Sequence, residues 1–168
     1  MSDLPIRDAV DPVRDAVEAE ADVDECVDLW IRACAARDGD VASGVAERAR
    51  TKFGRQVLWQ VVGTAGRLDG FALVTAPGSG APPDPTDAAV LGLLAVAPEA
   101  QGNGLGRRLL RVTTSTLASL GHRQVVLHVL ADNPAAIRLY ESEGWRPLGE
   151  PFEHILLRRM AQTYSLDL

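Results

Sequence analysis

The chain predicts an α/β fold, a single domain with a mixed central sheet of about six or seven strands flanked by about four helices. Three observations carry this expectation. β-prone runs at residues 56–62 and 68–75 stand close enough to form a hairpin, and a third run occupies 89–96. A glycine-rich turn at 96–106 then opens an amphipathic helical pattern, and another β-prone run follows it at 124–130. A strand, helix, strand unit of that kind requires parallel strands joined by a crossover.

The elements follow in order. Residues 1–12 read as a polar tail and 13–168 as the folded domain. PIRDAV, starting at Pro5, recurs as PVRDAV at Pro12; the repeat is too brief for a repeat architecture, and its second copy is the strand candidate because it leads into a helix signal. Asp22 followed by Glu25 fits a capping box, and Val23, Val27, Trp30 and Cys34 recur at helical spacing, which predicts a helix over 22–37. Asp38, Gly39 and Asp40 break it, and a weaker helix over 41–53 ends at Gly54. The runs at 56–62 and 68–75 are joined by GTAGR, a hairpin signature. Residues 76–87, with Pro77, Pro82, Pro83 and Pro85, form an exposed loop before the strand at 89–96.

After the glycine turn, Leu105, Leu109, Val112, Thr116 and Leu120 define a helix that Gly121 closes, and 124–130 is the next strand. Asn133 as cap, Pro134 at the first helical position and Gly144 just beyond the end punctuate a short helix. Residues 145–148 and 154–160 read as closing strands, antiparallel because only a short turn joins them.

Composition narrows the function. The chain has 168 residues, 46% of them hydrophobic and 24% charged, enough for one domain with an apolar core. Lys plus Arg is 17 against 23 Asp plus Glu, a net charge of -6. No general basic surface exists for nucleic acid, and the acidity mildly favours cationic partners, although solubility alone accounts for it. No window reaches the roughly 18 apolar residues of a membrane span, and the charged N-terminal stretch does not read as a signal peptide. The expectation is a cytoplasmic protein without membrane contact. Cys26 and Cys34 lie about 12 Å apart along one helix, beyond disulfide reach, and read as buried thiols. His122, His128 and His154 have no metal-ligand spacing, so no metal is expected.

The chemistry concentrates at the glycine turn. Gly102, Gly104 and Gly106 let backbone amides close around an anion, and the helix beginning there directs its positive dipole end to the same point. A phosphate-bearing ligand follows. A nucleoside triphosphatase loop needs Lys then Ser or Thr, yet Gly106 precedes Arg107 and Arg108. A dinucleotide fingerprint fits weakly, because the glycines are evenly spaced and His122 and Arg123 occupy the place of the expected acid.

The stretch QGNGLG, from Gln101 to Gly106, matches Q/RxxGxG/A. With Val96 and Pro98 upstream and NPAAIRLYESEGW downstream, from Asn133 to Trp145, it closely resembles the GNAT superfamily of acyl-CoA-dependent N-acetyltransferases. The order of elements shares the resemblance from about residue 13 to 160. The resemblance implies acetyl-CoA as acyl donor. It implies that the backbone of Leu94, Ala95 and Val96 pairs with the pantetheine arm, and that the amides of Gln101, Gly102, Asn103, Gly104, Leu105, Gly106 and Arg107 hold the pyrophosphate. Arg107 adds a side-chain contact, and Arg108 is a lesser candidate for one.

Asn133 and Tyr140 are two helical turns apart and share one face. By motif match Asn133 contacts the pantetheine arm while also capping its helix, and Tyr140 protonates the departing thiolate. Many members carry a Glu in strand four as general base, but AAVLGLLAV holds no ionisable group. His128 resembles in position the Glu of ribosomal-protein N-terminal acetyltransferases of this superfamily, and an imidazole of ordinary pKa near 6.5 accepts a proton at neutral pH. It reads equally as a strand residue on the sheet's other face. Asp38 and Asp40 stand where the superfamily lines its acceptor groove and suit a cationic amine.

The reading is an N-acetyltransferase that moves an acetyl group to a primary amine by direct attack in a ternary complex. The acceptor is a small molecule or a peptide N-terminus, the latter favoured only by His128. A homodimer is compatible with the composition. A non-catalytic acyl-CoA-binding regulatory module of the same fold is the alternative that the missing strand-four acid motivates.

Overall fold

The structure is a computed structural model and describes residues 11–81 and 84–168. Most of the expected tail, the first PIRDAV copy, Pro82 and Pro83 lie outside the described residues. Among those described, seven strands form one mixed sheet with four α-helices, the architecture that the sequence predicts.

In chain order the elements are β1 (Arg14–Asp15), α1 (Val23–Asp38), α2 (Val45–Phe53), β2 (Gln56–Thr64), β3 (Arg67–Thr75) and β4 (Ala89–Val96). There follow α3 (Leu105–Ser119), β5 (Gln124–Leu130), α4 (Pro134–Ser142), β6 (Arg146–Glu153) and β7 (Met160–Asp167). The strand order is β1-β2-β3-β4-β5-β7-β6. Every neighbouring pair is antiparallel except β4 and β5, the two strands that α3 links by a crossover.

Two apolar layers hold the sheet. On one face Cys26, Val27 and Leu29 of α1 and Ala49 and Phe53 of α2 pack on Trp59, Val61, Phe71, Leu73 and Leu93. On the other, Leu105, Leu109, Leu110 and Leu117 of α3 cover Leu58, Val62, Ala72, Val74 and Leu127, and α4 adds Ile137, Leu139 and Tyr140 around the buried Trp145. Cys26 and Cys34 are buried free thiols, as expected.

The β4–β5 pair positions everything that follows. Only Ala89↔Val125 and Val90↔Val126 are in register, so from Leu91 onward β4 keeps its β3 partner but its other edge is open. β5 meanwhile pairs along its whole length with β7, from Gln124↔Asp167 to Leu130↔Ala161. The sheet therefore splits between two well-supported strands.

Several boundaries differ from expectation. The closing strands lie at Arg146–Glu153 and Met160–Asp167, and residues 154–159 form the turn between them, closed by His154 N–H to Arg159 O at 2.8 Å. MAQTYSLD reads as polar, yet Ala161, Thr163 and Tyr164 are buried between β5 and β6, so tertiary pairing overrides local polarity. β1 is only Arg14–Asp15. α2 begins at Val45 because Gly44, at φ 88°, turns the chain there. The capping box is half formed: Asp22 Oδ1 accepts the Asp24 amide at 2.6 Å, while Glu25 Oε1 is buried without a partner. The hairpin turn tightens to Ala65 and Gly66 because β2 and β3 continue through Thr64↔Arg67.

Candidate active site

A cavity of about 750 Å³ opens where β4 and β5 part. Its floor is the free edge of β4, including Leu94, Ala95 and Val96, and one end reaches the turn containing Gln101, Gly102 and Gly104 and the start of α3. Asn133 and Tyr140 border it from α4, His128 from β5, and Asp38 and Asp40 from the end of α1 and the loop beyond. The strands and loops thus bring the sequence-predicted residues to one cavity, Asn103 standing within the same turn.

The turn is shaped for an anion. Gly102 at φ 84° and Gly104 at φ 76° occupy the left-handed region, which L side chains rarely adopt. α3 has no side-chain N-cap, and its first backbone bond is Arg108 N–H to Gly104 O at 3.0 Å. Among the described residues the amides of Leu105, Gly106 and Arg107 find no protein acceptor. Three unsatisfied donors at the positive end of a fifteen-residue helix fit a pyrophosphate. The open β4 edge fits the amide-bearing arm of such a ligand by strand addition. Gln101 Nε2 donates to Val96 O at 3.2 Å, fastening the turn to the end of β4.

The Arg107 side chain has partners that the sequence does not reveal. Its guanidinium donates to Ser142 Oγ at 2.9 Å and to Glu143, which also takes two bonds from Arg111, at 2.6 and 3.0 Å. Glu143 is only 10% exposed, so this knot clamps the end of α4 to α3 and engages Arg107 Nη1 there. Arg108 donates to Asp11 O instead of facing the turn.

Asn133 Oδ1 accepts the Ala136 amide at 3.3 Å, the helix cap expected of it. Tyr140 packs against Trp145, with ring centroids 5.9 Å apart, and its hydroxyl has no hydrogen-bond partner among the described residues. Burial pushes its phenol up to about 12, opposed weakly by the charge of Arg37. The proton therefore stays on oxygen throughout the neutral range, available for donation.

His128 has a partner that the sequence does not reveal. Its Nε2 lies 2.7 Å from Asp84 Oδ2, and Asp84 comes from the proline-rich loop, forty-four residues earlier. The Asp84 side chain is 5% exposed and also accepts Thr163 Oγ1 at 3.1 Å and the Ala81 amide at 3.0 Å. Gly80 makes room: a Cβ there would stand 2.4 Å from Asp84 Oδ2. Because the carboxylate accepts Nε2–H, the imidazole lone pair sits on Nδ1. His128 lies on the face of β5 opposite Val125, Leu127 and Val129, with its ring edge to face against Phe152 at 5.2 Å.

Asp38 is less free than its position suggests. It is bound by Arg37 at 2.6 Å and by Arg159 at 3.1 Å, and the Arg37 hydrogen bond chiefly holds its carboxyl below the usual range. Asp40 has no cation on it among the described residues; its Oδ1 accepts the Val41 amide at 2.8 Å. Lys52, which belongs to no motif in the sequence, donates its Nζ to Gly92 O at 2.8 Å on β4. Burial, helped by Arg48, lowers that ammonium to about 8.

A parallel pair thus splits over a cavity that ends on free amides at a helix start. The chain belongs to the acetyltransferase (GNAT) family, whose model matches residues 25–145. Mycothiol acetyltransferase of Geodermatophilus obscurus is 51% identical over 53 residues, which are 32% of this chain and 17% of that one. The chain thus spans well under a third of the length of such relatives. The ribosomal-protein-S18-alanine N-acetyltransferase of Escherichia coli is 25% identical with a TM-score of 0.69, over 94% of this chain and 93% of that one. An acetyltransferase of Bacillus subtilis solved in complex with CoA shares the fold at 16% identity and a TM-score of 0.63, over 86% and 92% of the two chains. Among the described residues no helix is long and apolar enough to cross a membrane.

Proposed function

We propose that this chain transfers the acetyl group of acetyl-CoA to a primary amine by direct attack within a ternary complex. The observation that carries this reading is the open edge of β4 from Leu91, leading to the three unpartnered amides at the start of α3. When bound, acetyl-CoA supplies an activated thioester carbonyl. The backbone of Leu94, Ala95 and Val96 aligns the pantetheine arm, the amides of residues 101–107 hold the pyrophosphate, and Asn133 adds a side-chain contact.

His128 takes the proton from the attacking amine on Nδ1, directly or through water, and Asp84 fixes the tautomer that leaves this atom free. A β4 backbone amide near Val96 polarises the carbonyl. Tyr140 donates to the departing sulfur. A phenol near 12 lies about 3.5 units above a free thiol, so complete transfer to that reference thiol costs roughly 5 kcal/mol. Donation is therefore a hydrogen bond that strengthens as thiolate charge develops in the desolvated pocket, and the proton crosses only where desolvation raises the thiol as well. Asp40 carries the negative charge left to guide an ammonium into the cavity.

This scheme needs no acyl-enzyme. Intersecting initial-rate plots and an unmodified protein mass after incubation with acetyl-CoA are expected; ping-pong kinetics with an acetylated protein would overturn direct attack.

A further inference from the structure

Arg48 and Lys52 stand four residues apart on α2 and both line the cavity. Residues at that spacing share a helix face. Neither is in an ion pair among the described residues, although other basic groups around the cavity are engaged: Arg37 and Arg159 with Asp38, Arg159 also with Asp132, and His128 with Asp84. Lys52 is half-buried, and its single hydrogen bond, to Gly92 O, leaves two of its three N–H donors without a protein partner. A half-buried ammonium without a counter-ion is partly desolvated and gains from an anion brought by a ligand.

His154 extends the same patch. Its Nδ1 accepts the amides of Leu156 at 3.3 Å and Leu157 at 3.1 Å, which leaves Nε2 as the donor atom in the neutral ring. Burial lowers its pKa first, and the charges of Arg48, Lys52, His128 and Arg159 lower it further. The carboxylates on the cavity wall are Asp38, already paired with Arg37 and Arg159, and Asp40, which is exposed and lies in the loop after α1, whereas Arg48 and Lys52 lie on α2.

We propose that the acceptor carries an anionic group, carboxylate or phosphate, beside its amine, and that Arg48 and Lys52 bind that group. This rests on the transfer reading of the same cavity and names the class of acceptor within it. A molecule so held is polarised: its anion faces α2, and its ammonium is free to approach His128 on β5. Binding an anion raises the Lys52 pKa, so the complex takes up protons near pH 8, where the free ammonium is partly deprotonated.

The test is calorimetric binding to the CoA-loaded full chain, with CoA release followed in parallel on acetyl-CoA. The probes are α-amino acids against their amides, and phosphoethanolamine against ethanolamine; these two arms separate carboxylate from phosphate. Anionic amines are expected to bind about tenfold or more tightly than their uncharged counterparts, with proton uptake at pH 8 that scales with buffer ionisation enthalpy. Arg48→Met, at an exposed position, and Lys52→Met should each erase most of that preference, and Lys52→Arg should retain it.

Equal or tighter binding of the amides, no binding of any anionic amine, or a preference that survives both Met variants would overturn the proposal. Anion preference without CoA release supports this site while sinking the transfer reading. Amides acetylated as fast as amino acids do the reverse.

Discussion

In the proposed transfer Tyr140 and His128 have opposite needs, and their surroundings suit both. A donor must keep its proton until sulfur departs, and burial of the Tyr140 phenol ensures this. A base must present a lone pair, and the Asp84 contact at Nε2 places that lone pair on Nδ1. Tyr140→Phe is expected to lower kcat by about 10²-fold with acetyl-CoA affinity within twofold of the parent, checked by steady-state rates and calorimetry. His128→Ala should lower kcat/KM by about 10²-fold with acetyl-CoA affinity unchanged; an unaltered kcat/KM assigns the proton elsewhere. Asp84→Asn should mix the two imidazole tautomers, visible in ¹⁵N chemical shifts, and slow turnover about tenfold or more without changing acetyl-CoA binding. Asp84 was not legible in the sequence, because its loop reads only as proline-rich connection. What joins it to His128 is a contact across the fold that Gly80 leaves room for. That His128, Asn133 and Tyr140 border one cavity follows from features legible in the sequence, the strand position of the first and the helical spacing of the other two.

At the scale of elements, the turn between β4 and α3 and the knot between α3 and α4 decide the site's shape. Gly104→Ala keeps volume nearly unchanged but imposes a left-handed conformation costing about 1–2 kcal/mol, so both melting temperature and acetyl-CoA affinity should fall. The Glu143 clamp gives a pH signature. Arg111 first, then Arg107, hold its carboxyl below the ordinary 4.5. A depressed carboxyl contributes stability above its unfolded value and loses it as pH falls through the folded one. Unfolding of Glu143→Gln should therefore differ most from the parent above pH 4.5, and the two should converge in stronger acid. The sequence revealed β4, α3 and β5 well because apolar periodicity and glycine punctuation coincide there. It misplaced β7, since Gln162, Ser165 and Asp167 alternate with residues whose burial depends on β5 and β6. It also suggested a side-chain contact for Arg107, whose partner Glu143 lies thirty-six residues away.

For the whole molecule, one parallel pair interrupts an otherwise antiparallel sheet, and its separation after Val90 creates both the cavity and the exposed backbone edge. The helices on one side of the sheet supply the phosphate turn and Tyr140, and those on the other supply Lys52, Arg48 and Asp38. In the proposed transfer, donor and acceptor would approach from opposite faces through the same gap, an arrangement that suits direct attack without an enzyme nucleophile. The most direct test is a thiol-release assay with acetyl-CoA and a broad panel of primary amines, with products identified by mass. CoA release that depends on the amine and yields an N-acetylated product in equal amount is expected. Stabilisation by acetyl-CoA with no amine-dependent release across the panel would contradict the proposed transfer and leave a binding module in place of a transferase.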